Sequence, residues 1–104
     1  METPLNAKIR VQVDKDLADI MPTFLNNRAK DIELITQALL KSDFVSIESV
    51  AHKLAGNAGG YGLAELGLIG REMETSAKQK NGDQIKKLFE KMKDYLAKLD
   101  IEFI

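Results

Sequence analysis

The chemistry available to this chain centres on one imidazole, because His52 is its single histidine and it contains no cysteine. The lack of cysteine excludes a disulfide framework, a thiolate zinc site and a cysteine nucleophile. A single histidine also excludes zinc sites that need two or more histidines. An exposed imidazole can still serve as a metal ligand, a general base or a nucleophile.

The residues around His52 show the periodicity of an amphipathic helix. At 100° per residue, the apolar side of this helix, which includes Ile47 and Leu54, centres roughly 200° from His52. His52 is therefore predicted to face solvent, pointing away from the core. Small or apolar residues share its side of the helix: Val45, Ala55, Gly56 and Gly59.

Small residues beside a reactive side chain allow another protein to approach closely. Gly56, placed by the pattern in the middle of the helix, costs about 1 kcal/mol of helix stability without local compensation. Ordinary explanations stay open here, since lone surface histidines are usually inert and glycines often end helices. We predict a docking surface formed by Val45, Glu48, Ser49, Ala55, Gly56 and Gly59.

The surroundings of His52 also narrow its chemistry. A metal site lacks further ligands, and general base catalysis needs a pocket, which a convex helix surface does not provide. Nucleophilic attack on a phosphoryl group remains. It requires that another protein supply Mg²⁺, in-line geometry and charge neutralisation.

Four helical segments must position this histidine. The first runs from Asp14 to about Lys41, and Pro22 predicts either a kink or a short helix followed by a longer one from Pro22. The second follows the Ser42-Asp43 turn and is expected to stop near residues 59–62. The third carries apolar residues from Leu63 to Ala77, and the fourth, after a turn at residues 81–83, carries them from Ile85 to Leu99.

The short turns between these helices predict an all-α fold, an antiparallel up-down four-helix bundle. Residues 1–13 form a lead-in, extended or in a short helix, because Ile9, Val11 and Val13 alternate with polar residues. Residues 14–104 form the bundle as a single domain. No strand pair is predicted.

Composition limits the partners. The chain has 104 residues, 44% hydrophobic and 30% charged, as expected of one globular domain. A net charge of −1 argues against nucleic acid binding. No apolar run approaches the ~20 residues of a membrane span, and the first 13 residues lack the apolar core of a signal peptide. We therefore expect a cytoplasmic monomer without a membrane partner. A dimer contact through the apolar side of the fourth helix stays open as an alternative to its packing in the core.

The segment from His52 onward resembles the signature of histidine phosphotransfer (HPt) domains. His52, Leu54, Gly56 and Gly62 match that signature in register. The pair Met73-Glu74 matches a Leu-or-Met/Glu pair farther along the family pattern, and residues 17–31 are also similar. The resemblance covers about residues 9–99 and is strong in a chain of this length with four predicted helices.

The resemblance implies a phosphorelay function. His52 would carry a phosphoryl group on a ring nitrogen, to or from the aspartate of a receiver domain of a response regulator. Glu74 matches a carboxylate that accepts a hydrogen bond from the other ring nitrogen and so fixes the tautomer; an ordinary solvated charge is its alternative. The implied partners are receiver domains and a sensor or hybrid histidine kinase. The domain would have no ATP site, enzymatic activity or cofactor of its own, and the receiver would supply Mg²⁺.

One position departs from the family pattern. The family often has lysine three residues after the histidine, where this chain has Ala55. Arg71, one turn before Glu74, is our first candidate for neutralising the phosphoryl charge, and Lys53 is the second. Arg28 lies near the apolar side of its helix, where a structural role is expected.

Three other functions stay open from the sequence. The first is a helical adaptor that binds receiver or kinase domains without being phosphorylated. The second is a detached phosphorylation domain of a chemotaxis-type histidine kinase. A hydrolase or phosphatase is disfavoured, because no paired inward carboxylates are predicted.

Overall fold

Four helices make up most of residues 7–104, the part of the chain that the computed structural model describes. They are α1 (Met21–Leu40), α2 (Phe44–Asn57), α3 (Ala64–Lys78) and α4 (Gly82–Lys98). Two short strands flank them, β1 (Ile9–Val13) and β2 (Leu99–Phe103), and 3₁₀ turns occupy Lys15–Leu17 and Ala58–Tyr61. The helices form the predicted four-helix bundle.

Helices α2 and α4 begin after polar residues that cap them, whereas α1 and α3 begin without a side-chain cap. Asp43 accepts a hydrogen bond from the backbone N–H of Ser46 at the start of α2, and Asn81 accepts one from Gln84 at the start of α4. Of the two predictions for the first helical stretch, the second is confirmed. A 3₁₀ turn precedes α1, which holds Pro22 in its first turn, where a missing N–H costs no hydrogen bond.

The α-helix α2 ends at Asn57, two residues before the predicted range of 59–62, and a 3₁₀ turn continues the coil into that range. The helix passes into the 3₁₀ turn at Asn57, and Gly62 terminates that turn with φ of 80°. Residues with a Cβ rarely adopt this left-handed conformation. One expectation is corrected, since Gly56 lies in the last turn of α2 rather than in its middle. The local cost of glycine there is smaller, because the α-helix ends one residue later.

The largest correction concerns the two strands, because the sequence predicted no strand pair. β1 pairs in parallel with β2, with Ile9 opposite Leu99 and Val13 opposite Phe103. Leu99 was wrongly assigned to the fourth helix, since it continues the apolar spacing of Leu96, yet its backbone is extended with ψ of 126°. The extended conformation predicted for the lead-in is confirmed over Ile9–Val13, whereas residues 1–6 lie outside the described residues.

The core draws on every helix and on β1. Val13 is buried together with apolar side chains from all four helices, among them Met21, Ile47, Leu66 and Leu88. Burial of these side chains supplies most of the favourable free energy of folding. The antiparallel helix order stays a prediction from the turn lengths.

Helices α2 and α3 make the most extensive contact in the bundle, and a glycine lies at its centre. A Cβ on Gly70 would lie 2.8 Å from the backbone nitrogen of Ala55 and 3.1 Å from the carbonyl oxygen of Ala51. Since glycine has no Cβ, α3 approaches the backbone of α2 directly. This contact fixes α3 against the turn of α2 that carries His52.

Candidate functional site

His52 projects from the outer side of α2. Its side chain is 75% exposed, whereas Ala51 and Leu54 on the opposite side of the helix are buried. This orientation agrees with the helical wheel drawn from the sequence. An imidazole in this position is accessible to another protein.

Glu74 of α3 holds one of the two ring nitrogens of His52. Its Oε2 lies 2.8 Å from His52 Nδ1, a hydrogen-bond distance, and the Glu74 side chain is only 17% exposed. A carboxylate accepts, so a neutral imidazole donates its proton from Nδ1. The other nitrogen, Nε2, then carries the lone pair and is free to react.

The packing of α3 explains why Glu74 reaches the imidazole. Glu74 follows Gly70 by one helical turn and therefore lies on the same side of α3, next to α2. Met73 beside it is fully buried and anchors this turn of α3 in the core. The carboxylate is thus held by a rigid part of the bundle rather than by a loop.

Lys78 is a second charged residue at this site, and it was not among the site residues predicted from the sequence. Its Nζ lies 3.7 Å from Oε2 of Glu74, the same oxygen that contacts His52, and its side chain is 59% exposed. The spacing of four residues between Glu74 and Lys78 is the signal that could have shown the pair. That both groups share one oxygen is visible only in the structure.

A shallow depression surrounds the imidazole, lined from α2 by Val45, Glu48, Ser49, His52 and Lys53, and from α3 by Glu74. Val45 is 80% exposed, which is unusual for a valine. Three of the predicted docking residues therefore border His52 directly. The remaining three lie beyond His52 along α2 and after its end, where Gly56 and Gly59 are exposed and Ala55 is partly buried.

The exposed glycines beyond His52 are not required by the internal packing. A Cβ added to Gly56 or Gly59 would meet no other atom within 4 Å. The surface on this side of α2 is therefore open, and packing within the fold does not require glycine at either position.

Comparison with protein families identifies the chain. The family model described as Hpt domain matches residues 19–102, nearly the whole chain. The chain belongs to the Hpt domain family. Hpt domains are phosphotransfer carriers in phosphorelays, where they interact with kinases and receiver domains, and they are not catalytic ATP-binding domains. Comparison with curated proteins and with solved structures finds no match.

Of the two residues predicted to neutralise the phosphoryl charge of this Hpt domain, Lys53 borders His52. Lys53 lines the depression, whereas Arg71 is exposed on α3 and does not line it. Burial raises the pKa of Asp31 on α1, while the charges of Arg28 and Lys53 act in the opposite direction. Lys53 is thus within electrostatic reach of α1 as well as of the depression.

Arg28 has the structural environment that its position in the sequence predicts. Its Nε lies 2.8 Å from Oδ2 of Asp31, and its guanidinium group lies 4.4 Å from the centre of the Phe24 ring. Phe24 in turn stacks on Tyr61, with ring centroids 4.1 Å apart. Phe24 therefore ties α1 to the turn after α2, and Arg28 packs on Phe24 rather than contributing to the depression at His52.

The described residues carry no cluster of three or more histidine, aspartate or glutamate side chains arranged to hold a metal ion. Within residues 7–104, none of the helices combines the length and the apolar composition needed to cross a membrane.

Proposed function

We propose that His52 accepts a phosphoryl group on Nε2 and exchanges it with the aspartate of a receiver domain in a multistep phosphorelay. The observation that supports this most directly is the hydrogen bond between His52 Nδ1 and Glu74 Oε2, at 2.8 Å, on an imidazole that is 75% exposed. One nitrogen is held and the other is accessible, which is what a phosphoryl acceptor requires.

In the forward step, the lone pair of Nε2 attacks the phosphorus of an aspartyl phosphate on the receiver. A bond forms between Nε2 and phosphorus, the bond between phosphorus and the aspartyl oxygen breaks, and the receiver recovers its carboxylate. The proton on Nδ1 stays in place, so the ring acquires a positive charge. The carboxylate of Glu74 stabilises this charge at hydrogen-bonding distance. The reverse step returns the phosphoryl group by the same path.

The partner must provide the rest of the reaction. We propose that the receiver supplies Mg²⁺ and in-line geometry, and that it docks on Val45, Glu48, Ser49, Ala55, Gly56 and Gly59. Lys53 and Arg71 are the proposed sources of positive charge for the phosphoryl oxygens, in place of the lysine that Ala55 replaces. Of these two, Lys53 has the stronger structural support, because it lines the depression with His52.

The test is phosphorylation of the purified chain. It is incubated with a panel of phosphorylated receivers and with histidine kinases plus ATP, and His52→Gln is treated identically. We expect label on the natural chain alone, labile in acid and stable in base, as phosphohistidine is. Since His52 is exposed, the variant should fold normally, which circular dichroism would verify.

Other outcomes of this experiment separate the alternatives. Label on both proteins would place the phosphoryl group elsewhere and overturn the proposal. No label from any donor, with binding to receivers intact, would favour the adaptor. The detached phosphorylation domain is separated by the kinase partner, and label that comes from a chemotaxis-type kinase core would favour it.

A further inference from the structure

The carboxylate that orients the imidazole is shared between two nitrogen groups. His52 Nδ1 lies 2.8 Å and Lys78 Nζ lies 3.7 Å from the same Oε2 of Glu74. Besides His52 and Glu74, the titratable residues that line the depression around the imidazole are Glu48 and Lys53, both on α2. Within residues 7–104, Lys78 is therefore the lysine or arginine that lies in ion-pair distance of the oxygen to which the ring is hydrogen-bonded.

We propose that Lys78 is a positioning residue, which limits the strength of the Glu74–His52 hydrogen bond and so keeps phosphorylated His52 ready to give up its phosphoryl group. This inference rests on the proposed function of His52. Lys78 acts through Glu74 and does not itself contact the reacting atoms.

The physical reason is competition for one negative charge. A phosphorylated ring that keeps its proton on Nδ1 is cationic, so it gains stability from the full charge of a nearby carboxylate. The ammonium group of Lys78 neutralises part of that charge at the bonded oxygen, which leaves the phosphorylated state less stable. The effect is modest, because Lys78 is 59% exposed and water screens the pair.

The first test measures the equilibrium between phosphorylated receiver and phosphorylated His52. Removing the ammonium in Lys78→Gln should raise the ratio of phosphorylated His52 to phosphorylated receiver about two- to fivefold, the range for a partly exposed ion pair. Lys78→Arg keeps the positive charge and should show the same ratio as the natural chain. Lys86→Gln, an exposed lysine of α4, is the matched control and should leave the ratio unchanged. An equal ratio in Lys78→Gln and in the control would overturn the inference, as would a lower phosphohistidine share.

The second test asks whether Lys78 acts through Glu74. In a Glu74→Gln background, no carboxylate remains for the ammonium to neutralise, so Lys78→Gln should have no further effect on the equilibrium. An effect that persists in this background would mean that Lys78 acts on the phosphoryl group directly, which would overturn the inference.

A third readout needs no phosphoryl transfer. Because His52 is the only histidine in the chain, ¹⁵N NMR of the unphosphorylated protein reports a single imidazole. Well above the ordinary pKa of histidine, Lys78→Gln should increase the share of rings with the proton on Nδ1, and Lys86→Gln should not. Unchanged ¹⁵N shifts in Lys78→Gln would overturn the inference. A chain that accepts no phosphoryl group would instead overturn the proposed function, so the two failures are distinct.

Discussion

A glycine inside the α2–α3 contact and two glycines on the outer surface have opposite surroundings. On α3, a Cβ on Gly70 would lie 2.8 Å from the backbone of α2. At and after the end of α2, a Cβ on Gly56 or Gly59 would meet nothing within 4 Å. The first glycine is required by the interior of the molecule, whereas the other two leave a bare outer surface.

The two kinds of glycine differ in what they contribute to the proposed site. Gly70 lets α3 approach α2 closely enough for Glu74 to reach the imidazole. Gly56 and Gly59 leave an open surface on the outer side of α2, over which the proposed partner would approach. Composition alone does not distinguish these roles, because the residue type is the same and only the neighbouring atoms differ.

The largest expected effect is that of filling the internal contact. Gly70→Ala should destabilise the fold by about 1–3 kcal/mol, because the new methyl group would press on the backbone of α2, which cannot move aside cheaply. Urea unfolding measures the loss. The displaced α3 should also weaken the Glu74–His52 hydrogen bond, which ¹⁵N NMR of the ring would detect.

Gly67→Ala is the matched control for this substitution. Its Cβ would lie 3.7 Å from the nearest atoms of α2 and of the 3₁₀ turn after it, an ordinary contact distance, and alanine favours a helix over glycine by about 1 kcal/mol. Its stability should equal or exceed that of the natural chain. Equal losses at both positions would contradict the distinction drawn between the two contacts.

A larger side chain on the outer surface should have the opposite effect: phosphoryl transfer slows, whereas the stability of the fold is retained. Gly56→Gln should lower the rate of phosphoryl transfer from a receiver by about tenfold or more, since overpacking a close contact costs about 1–3 kcal/mol. Its unfolding free energy should stay the same or rise slightly, because no atom of the fold lies near the new side chain. The measurements are transfer kinetics and urea unfolding on the same preparation.

A graded series sharpens this prediction. Gly56→Ala adds one methyl group and should slow transfer less than the glutamine does. If Gly56→Gln transferred the phosphoryl group as fast as the natural chain does, partners would not approach over this surface. The docking proposal would then fail.

The smallest expected effect separates helix stability from docking. The hydroxyl and backbone N–H of Ser46 lower the pKa of Asp43, the N-cap of α2, below its usual value. Because the pKa of Asp43 is lower in the folded than in the unfolded chain, ionised Asp43 stabilises the fold at pH values above its unfolded-state pKa. This contribution is lost as the pH falls through the folded-state pKa. Asp43→Ala should therefore be less stable at neutral pH, with a deficit that shrinks below about pH 4. Thermal unfolding followed by circular dichroism at several pH values measures this.

Asp43→Asn provides the control, because it keeps an uncharged acceptor and should show a smaller deficit at neutral pH. Transfer rates should stay natural in both variants, since the outer surface is unchanged. A deficit in Asp43→Ala that stays constant into strong acid would contradict the assignment of this carboxylate as the cap.

Most of the helical fold was predictable because its determinants are local. Apolar spacing, the caps at Asp43 and Asn81 and the position of Pro22 all act within a few residues. The strand pair was not predictable in this way. Alternating residues in Ile9–Val13 indicate a strand, but the partner lies at the far end of the chain, and Leu99 fits a helical pattern equally well.

At the site, the outward orientation of His52 followed from the helical wheel, and the resemblance singled out Glu74. The distance between the two side chains could not be read from sequence, because it depends on how closely α2 and α3 pack at Gly70. Lys78 was not predicted for a related reason. Its spacing from Glu74 indicates an ion pair, but only three-dimensional packing brings that pair to the imidazole.

The parallel pair of β1 and β2 has a consequence for the order of folding. Ile9 and Leu99 are about 90 positions apart, so joining them closes a loop that contains all four helices. The entropy cost of closing a loop rises with its length, whereas helices and their neighbouring contacts form from nearby residues. We therefore expect the strands to join last and to separate first, acting as a latch over Val13. Such an opening would leave the α2–α3 contact, and with it the imidazole and its carboxylate, intact.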